Sequence, residues 1–243
     1  MPYSTRTIGY HCELLHPPGP VDPNLVQRVH NGLFASPDPL YKSFAVNHDG
    51  CALSNIAVRP GAVSQAAFLV DRYRFNEEGT GLTPDEFADR VTTLASQISE
   101  AKGLSIFTGQ VVTLRTLVNP RAYPTALELL GEGVLRWNAE ENSLGRPVGG
   151  LGLRLVLPAT PEYPNTFNVR IETIANDRRS LFLENQGTFP PQPVREGLAS
   201  VRAHIDATYR FLTGPVLDLL AQRDRSDGTD ADADARDSGG EGH

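Results

Sequence analysis

LGLRLVLPATPEYPNTFNVRIETIANDRRSLFLENQ, residues 151–186, holds three runs in which apolar and polar side chains alternate. Leu151, Leu153, Leu155 and Leu157 alternate with Gly152, Arg154 and Val156; Phe167, Val169 and Ile171 alternate with Asn168, Arg170 and Glu172; Ser180 to Gln186 follows. A period of two puts every second side chain on the same face of a strand. The connections are the proline-rich Pro158 to Asn165 and the segment Ala175 to Arg179, where Asn176-Asp177 are turn formers. The stretch therefore predicts an antiparallel meander with one face buried and the other polar.

Helical patterns flank it. Thr83 is an N-cap candidate, Pro84 sits at the first helical position, and Glu86 closes a capping box three residues after the cap. Phe87, Val91, Leu94, Ala95, Ile98 and Ala101 then recur at helical spacing until Lys102-Gly103, which predicts a helix from Pro84 to Ala101. Leu198, Val201, Ile205, Tyr209 and Leu212 mark a second long helix from Val194 to Leu212, broken or kinked at Gly214-Pro215, with a last turn to Gln222. A shorter helix starts at Asp22-Pro23 and shows Leu25, Val26, Val29 and Leu33; another is expected from Thr125 to Leu130, stopped by Gly131. Further strands are expected at Thr5 to Leu15, Tyr41 to Asn47, Cys51 to Val58, Gln65 to Phe75 and Thr108 to Val118.

In chain order this reads strand, helix, three strands, helix, and then the same again. The expected fold class is α+β: antiparallel sheet with helices packed on one face, built from a pseudo-duplicated unit. Residues 1–103 make the first α+β half and 104–222 the second, as one domain or two, their sheets joining or facing one another around a pseudo-two-fold. Residues 223–243 contain no aromatic or branched aliphatic side chain, so a disordered acidic tail is expected there.

Composition bounds the function. The 243 residues are 40% hydrophobic and 21% charged, enough to bury a core without staples. With only Cys12 and Cys51, neither a disulfide scaffold nor a cysteine-rich zinc module is expected, and a reducing compartment is the simpler reading. No secretion signal and no apolar run of membrane-spanning length is present, so the expectation is a cytoplasmic protein without a membrane partner. The net charge is −7, of which residues 223–243 carry −4 and residues 1–222 carry −3, a balance that disfavours nucleic acid as a partner. Asp230, Asp232, Asp234 and Glu241 fit positions of a calcium loop, but Ala235 stands where that loop needs glycine, so a solvated tail is the reading.

Candidate chemistry is sparse. His48-Asp49-Gly50-Cys51 resembles half a zinc clip, yet no second ligand pair follows, and Asp-Gly suits a hairpin turn; no metal and no cofactor are called for. His11 and Glu13 share one face of the first strand and are weak candidates for proton transfer; His204, beside Val201 and Ile205, is a third, against the reading of a packed histidine bonded to backbone. Arg72, Arg74 and Arg115 lie in strand-like segments and are candidates for holding an anion on a polar sheet face, against the alternative of cross-strand pairing with Asp71, Glu172 or Glu184. No phosphate-binding glycine loop or nucleophile elbow is present, and Gly149-Gly150-Leu151-Gly152 precedes a strand where a nucleotide loop would open a helix.

Phe68-Leu69-Val70-Asp71-Arg72-Tyr73-Arg74-Phe75, Val112-Thr113-Leu114-Arg115-Thr116-Leu117-Val118-Asn119-Pro120, Ser180-Leu181-Phe182-Leu183-Glu184 and the helix Ala203 to Thr213 together resemble a sporadically distributed family of uncharacterised bacterial proteins. The resemblance covers about residues 60–222 and implies a bacterial cytosolic protein, with no catalytic residue to transfer. The functional expectation is a binding or assembly module, self-associating into a homo-oligomer or holding a protein partner, and not an enzyme. The alternative is a small enzyme or sensor that takes an anionic ligand through the arginines of a sheet face.

Overall fold

A computed structural model describes residues 3–137 and 144–225. The strands are β1 (Arg6–Leu15), β2 (Ser43–Asn47), β3 (Gly50–Ser54), β4 (Val63–Leu69), β5 (Arg72–Glu78), β6 (Ile106–Phe107), β7 (Gly109–Val118), β8 (Gly152–Leu157), β9 (Thr166–Ile174), β10 (Asp177–Phe189) and β11 (Gln192–Pro193). The helices are α1 (Pro23–Phe34), α2 (Pro84–Lys102), α3 (Ala126–Glu128), α4 (Val194–Phe211) and α5 (Leu217–Arg223). Nine strands form one sheet in the order β2-β3-β4-β5-β1-β7-β10-β9-β8, every neighbouring pair antiparallel; β6 and β11 form a small separate ladder. The α+β class with antiparallel sheet holds.

The order has a twofold logic. β1 and β7 lie side by side at the centre, each is followed by a helix, and each half then lays its strands from the sheet edge inward, with the last strand beside the central one. Each half closes with a long helix, α2 or α4, and these two helices pack on each other. The halves' sheets therefore join through β1 and β7. The first half differs from the expected count: Gln65 to Phe75 is two strands, β4 and β5, separated by a turn at Val70-Asp71. It carries four strands after α1 where three were expected.

Alternation decides which face is buried. Tyr10, Cys12 and Leu14 of β1, Tyr73 and Phe75 of β5, Val112 and Leu114 of β7, Val169 and Ile171 of β9 and Leu181 and Leu183 of β10 all enter one core with Phe87, Val91 and Leu94 of α2 and Val201 and Ile205 of α4. Every one of these strand residues sits on the same side of the sheet by register. The α2 N-terminus carries the expected capping box: the Thr83 side chain accepts from the Glu86 N–H while Glu86 accepts from Thr83 N–H. Gly103, in the left-handed region at φ 68°, ends the helix.

Three connections depart from expectation. The β2–β3 turn is His48-Asp49 alone, because Gly50 pairs with Asn47; its φ of 150° and the Phe68 carbonyl, 2.1 Å from where a Cβ would stand, require glycine. The helix expected over Thr125 to Leu130 has only three α-helical residues before a π-helical turn, Leu129–Leu135, takes over. Gly131 does not stop it, since the chain stays wound until Arg136 turns left-handed at φ 51°. After α4 the kink at Gly214-Pro215 is a π-helical turn, Leu212–Val216, as proline lacks the N–H for the regular bond. Among the described residues no helix is long and apolar enough to cross a membrane. Of the tail expected to be disordered over residues 223–243 only 223–225 are described, and there Arg223 ends α5 and Asp224 is buried and hydrogen-bonded; the calcium-loop pattern lies outside the described residues.

Candidate functional site on the open face of the sheet

The face turned away from the helices is where the strand arginines meet. In register across six strands run Gln65, Asn76, His11, Thr113, Gln186 and Asn168, a row of neutral hydrogen-bonding side chains. Ion-pair networks flank the row on both sides.

On one side Glu13 accepts from Arg74 Nε at 2.9 Å and Arg72 Nη1 at 3.0 Å, and Arg72 also grips Asp71 through Nε at 3.0 Å and Nη2 at 2.9 Å. His11 Nε2 lies 3.5 Å from Glu13 Oε1. Burial would raise the Glu13 pKa, but the Arg74 and Arg72 guanidiniums outweigh it and hold it below the usual carboxylate range. Burial also pulls His11 below the ordinary imidazole value, and the neighbouring Glu13 only partly offsets this.

On the other side Arg115 donates to Glu78 and, at 2.7 Å, to Glu184; Arg170 donates to Glu184 at 3.1 Å and holds Glu172 at 3.0 and 2.8 Å. Arg115 and Glu78 stand on strands that are not neighbours, since β1 runs between them. Gly9 is the β1 residue paired with both, and a Cβ there would come within 2.3 Å of the Glu78 carboxylate. A residue without a side chain is what lets the pair close over the strand.

This arrangement bears directly on the candidate residues. His11, Glu13, Arg72, Arg74 and Arg115 do share one face. Each arginine, however, is bound to carboxylates of the same face, Asp71 and Glu184 among them, and the two networks together carry more acidic than basic groups. A surface so compensated has little electrostatic attraction left for an anion. Arg72 and Arg74 also border a cavity of about 660 Å³, together with His48, Asp49 and Asp71.

His204 is on the opposite side of the sheet and cannot work with His11. It stacks on Phe189 with centroids 3.9 Å apart, and its Nδ1 lies 2.8 Å from Gln110 Oε1. That oxygen also accepts from Gln192 Nε2 at 3.2 Å, so Nδ1 carries the proton and donates. Burial lowers the His204 pKa to about 4. It is a packed, neutral histidine bonded to a side chain where backbone was expected.

Neither cysteine is poised for chemistry. Cys12 is wholly buried, which pushes its thiol up to about 12, and Cys51 is buried under the β2–β3 turn. His48 pairs with Asp49 at 2.8 Å on the exposed turn. Among the described residues no three His, Cys, Asp or Glu side chains come together to hold a metal ion.

A second group of arginines escaped the sequence reading. Arg6, Arg121 and Arg179 line a cavity of about 800 Å³ at the end of the central strands. They are far apart in sequence and stand at strand ends, so only the sheet order reveals the cluster. No protein-family model matches the chain, and no curated protein matches it.

Proposed function

We propose that the protein is a protein-binding module that assembles with itself through the open face of its sheet, in a bacterial, cytoplasmic setting as the family resemblance implies. The observation that supports this reading is a face spanning nine strands with no described helix packed over it. At strand spacing it measures about 38 Å by about 20 Å, on the order of 800 Å², which is about the contribution of one partner to a stable interface. Apart from Arg154, which donates to Asn168 at 3.4 Å, the arginines of this face are held in fixed pairs with carboxylates, so less side-chain entropy is lost when a second surface covers them. Two copies related by a twofold axis would bring the neutral Gln186 and Asn168 row against itself, the isologous arrangement most homodimers use. The scattering of His11 and His204 to opposite faces weighs against an enzyme.

Gln186 and Thr188 are exposed on this face and remote from the core. Light scattering on the eluting full chain is expected to give at least twice the chain mass, and Gln186→Arg or Thr188→Arg to give the monomer with unchanged thermal stability. A wild-type chain that stays monomeric across a concentration series would overturn the self-assembly reading.

A further inference from the structure

β8 ends the sheet, and its outer edge is bare. Gly152 stands opposite Glu172 on β9, and one step on the Leu151 carbonyl accepts from the Thr173 N–H at 3.0 Å. That bond fixes the phase of the ladder. Leu153, Leu155 and Leu157 turn their main-chain groups to β9, while Gly152, Arg154 and Val156 each turn an N–H and a C=O outward. Among the described residues no strand pairs with that edge.

Each side of the edge adds its own chemistry. On the helix side Leu153 and Leu155 pack against the core, and Leu157, opposite Phe167, continues their row. There a cavity of about 670 Å³ lies between the β8–β9 hairpin and α4, lined by Leu157, Tyr163, Phe167, Phe211 and Pro215 among others. Phe167 and Phe211 stack with centroids 4.5 Å apart, and Val156 and Tyr163 are 61% and 66% exposed, so apolar surface lies open beside the unpaired main chain. On the open side stands Arg154, which donates to Asn168 at 3.4 Å and forms no ion pair among the described residues. Its cross-strand neighbour is a second arginine, Arg170, already held by Glu172 and Glu184.

We propose that β8 captures an extended peptide of another protein as a further strand, and that this peptide alternates apolar residues with an acidic one. An added strand bonds to the outward N–H and C=O groups. Its residues opposite Leu153, Leu155 and Leu157 face the helix side, where apolar side chains pack on the leucines and reach the cavity. Its residue opposite Arg154 faces the open side, where a carboxylate supplies a charged partner. A second copy of β8 fits less well. The antiparallel register that pairs all three outward residues sets Arg154 directly against Arg154, two like charges face to face. The main-chain contact runs along the edge and does not rest on the self-assembly proposed above.

The probe is a capped, fluorescently labelled peptide, Val-Thr-Val-Glu-Val-Thr-Val, with a second version carrying lysine for the glutamate. Titrated with the full chain and read by anisotropy, the glutamate peptide is expected to saturate one site per chain and to bind about tenfold more tightly than the lysine peptide. Arg154→Glu is expected to reverse that order. Val156→Pro, which removes an outward N–H and leaves the bonds to β9, is expected to weaken the glutamate peptide about fivefold with an unchanged circular dichroism spectrum. In amide hydrogen exchange the bound peptide is expected to slow Arg154 and Val156 and to leave Leu155, already bonded to β9, as it was. Absence of saturable binding, an unchanged order of the peptides in Arg154→Glu, or binding without slowed exchange at Arg154 and Val156 would overturn the proposal. Light scattering without peptide is expected to give Val156→Pro the wild-type mass; a lower mass would assign the edge to a second copy and overturn the choice of partner. Gln186→Arg, which addresses the open face, is expected to bind the glutamate peptide as the wild type does, so the two readings fail separately.

Discussion

At the scale of single residues, His204 is the most informative. Stacked on Phe189 and donating to Gln110, it is held neutral with a pKa of about 4, against about 6.5 for a free imidazole. The unfolded chain therefore binds a proton between those values that the folded chain refuses, and stability rises with pH across that window. The contribution is complete above about pH 6.5 and is lost as pH falls toward about 4. Denaturant midpoints measured from about pH 7 down to about pH 5 are expected to fall in the wild type and to fall less in His204→Phe, which keeps the stack and removes the titrating group. The sequence showed His204 at the margin of an apolar stripe, which suffices to suggest packing. Its partner could not be read there, because Gln110 lies on β7 and meets α4 only through the tertiary fold. Arg72 and Arg115 were legible as polar-face residues for a similar reason, whereas the Glu13 and Glu78 that neutralise them emerge only with the register of β1 against β5 and β7.

Elements were read well where local chemistry sets them. The Thr83-Pro84-Glu86 start and Gly103 stop of α2 are written in adjacent residues, and the structure departs from the expected end by one residue. The β4–β5 turn was missed although its signal is present: buried positions are even at Ser64, Ala66 and Phe68 but odd at Tyr73 and Phe75. Such a change of parity requires a turn or a bulge, since one regular strand keeps one parity on each face; here it is the β4–β5 reversal. The π-helical turn at Leu129–Leu135 had no comparable signal, whereas the one at Leu212–Val216 was announced by Gly214-Pro215 as a kink. Between elements, α2 is fastened to β5 by Glu77, whose Oε1 accepts from Arg90 at 2.7 Å, Tyr41 at 3.0 Å and Ser64 at 3.0 Å while its side chain is fully buried. Removing that acceptor strands Arg90 and two hydroxyls in the interior. Glu77→Ala, which removes the acceptor, is expected to lower the unfolding free energy by about 3 kcal/mol, read from chemical denaturation followed by circular dichroism.

For the whole molecule the β1–β7 seam matters most. Both central strands are paired along their length, and α2 packs on α4 above them, so neither half can open without exposing apolar surface of the other. A single cooperative transition is expected in scanning calorimetry, with matching calorimetric and van't Hoff enthalpies; two resolved transitions would show that the halves are energetically separate. The expected order of strand, helix, three strands and helix misses a strand of the first half, where four follow α1, and the way the halves join was not legible, because strand alternation says which face is buried and nothing of which edge is shared.

Tyr3 and Asp224 touch at 2.8 Å, although 221 positions separate them along the chain. The two extremities of the folded body are thus neighbours, and the link between its halves, Gly103 to Ser105, lies at the far end of α2. A chain reopened at that link and sealed across the Tyr3–Asp224 contact would present the second half before the first and still meet the same partners. Circular permutation is therefore compatible with this architecture: the topology constrains which strands lie together at the seam, and leaves the reading order of the two halves free.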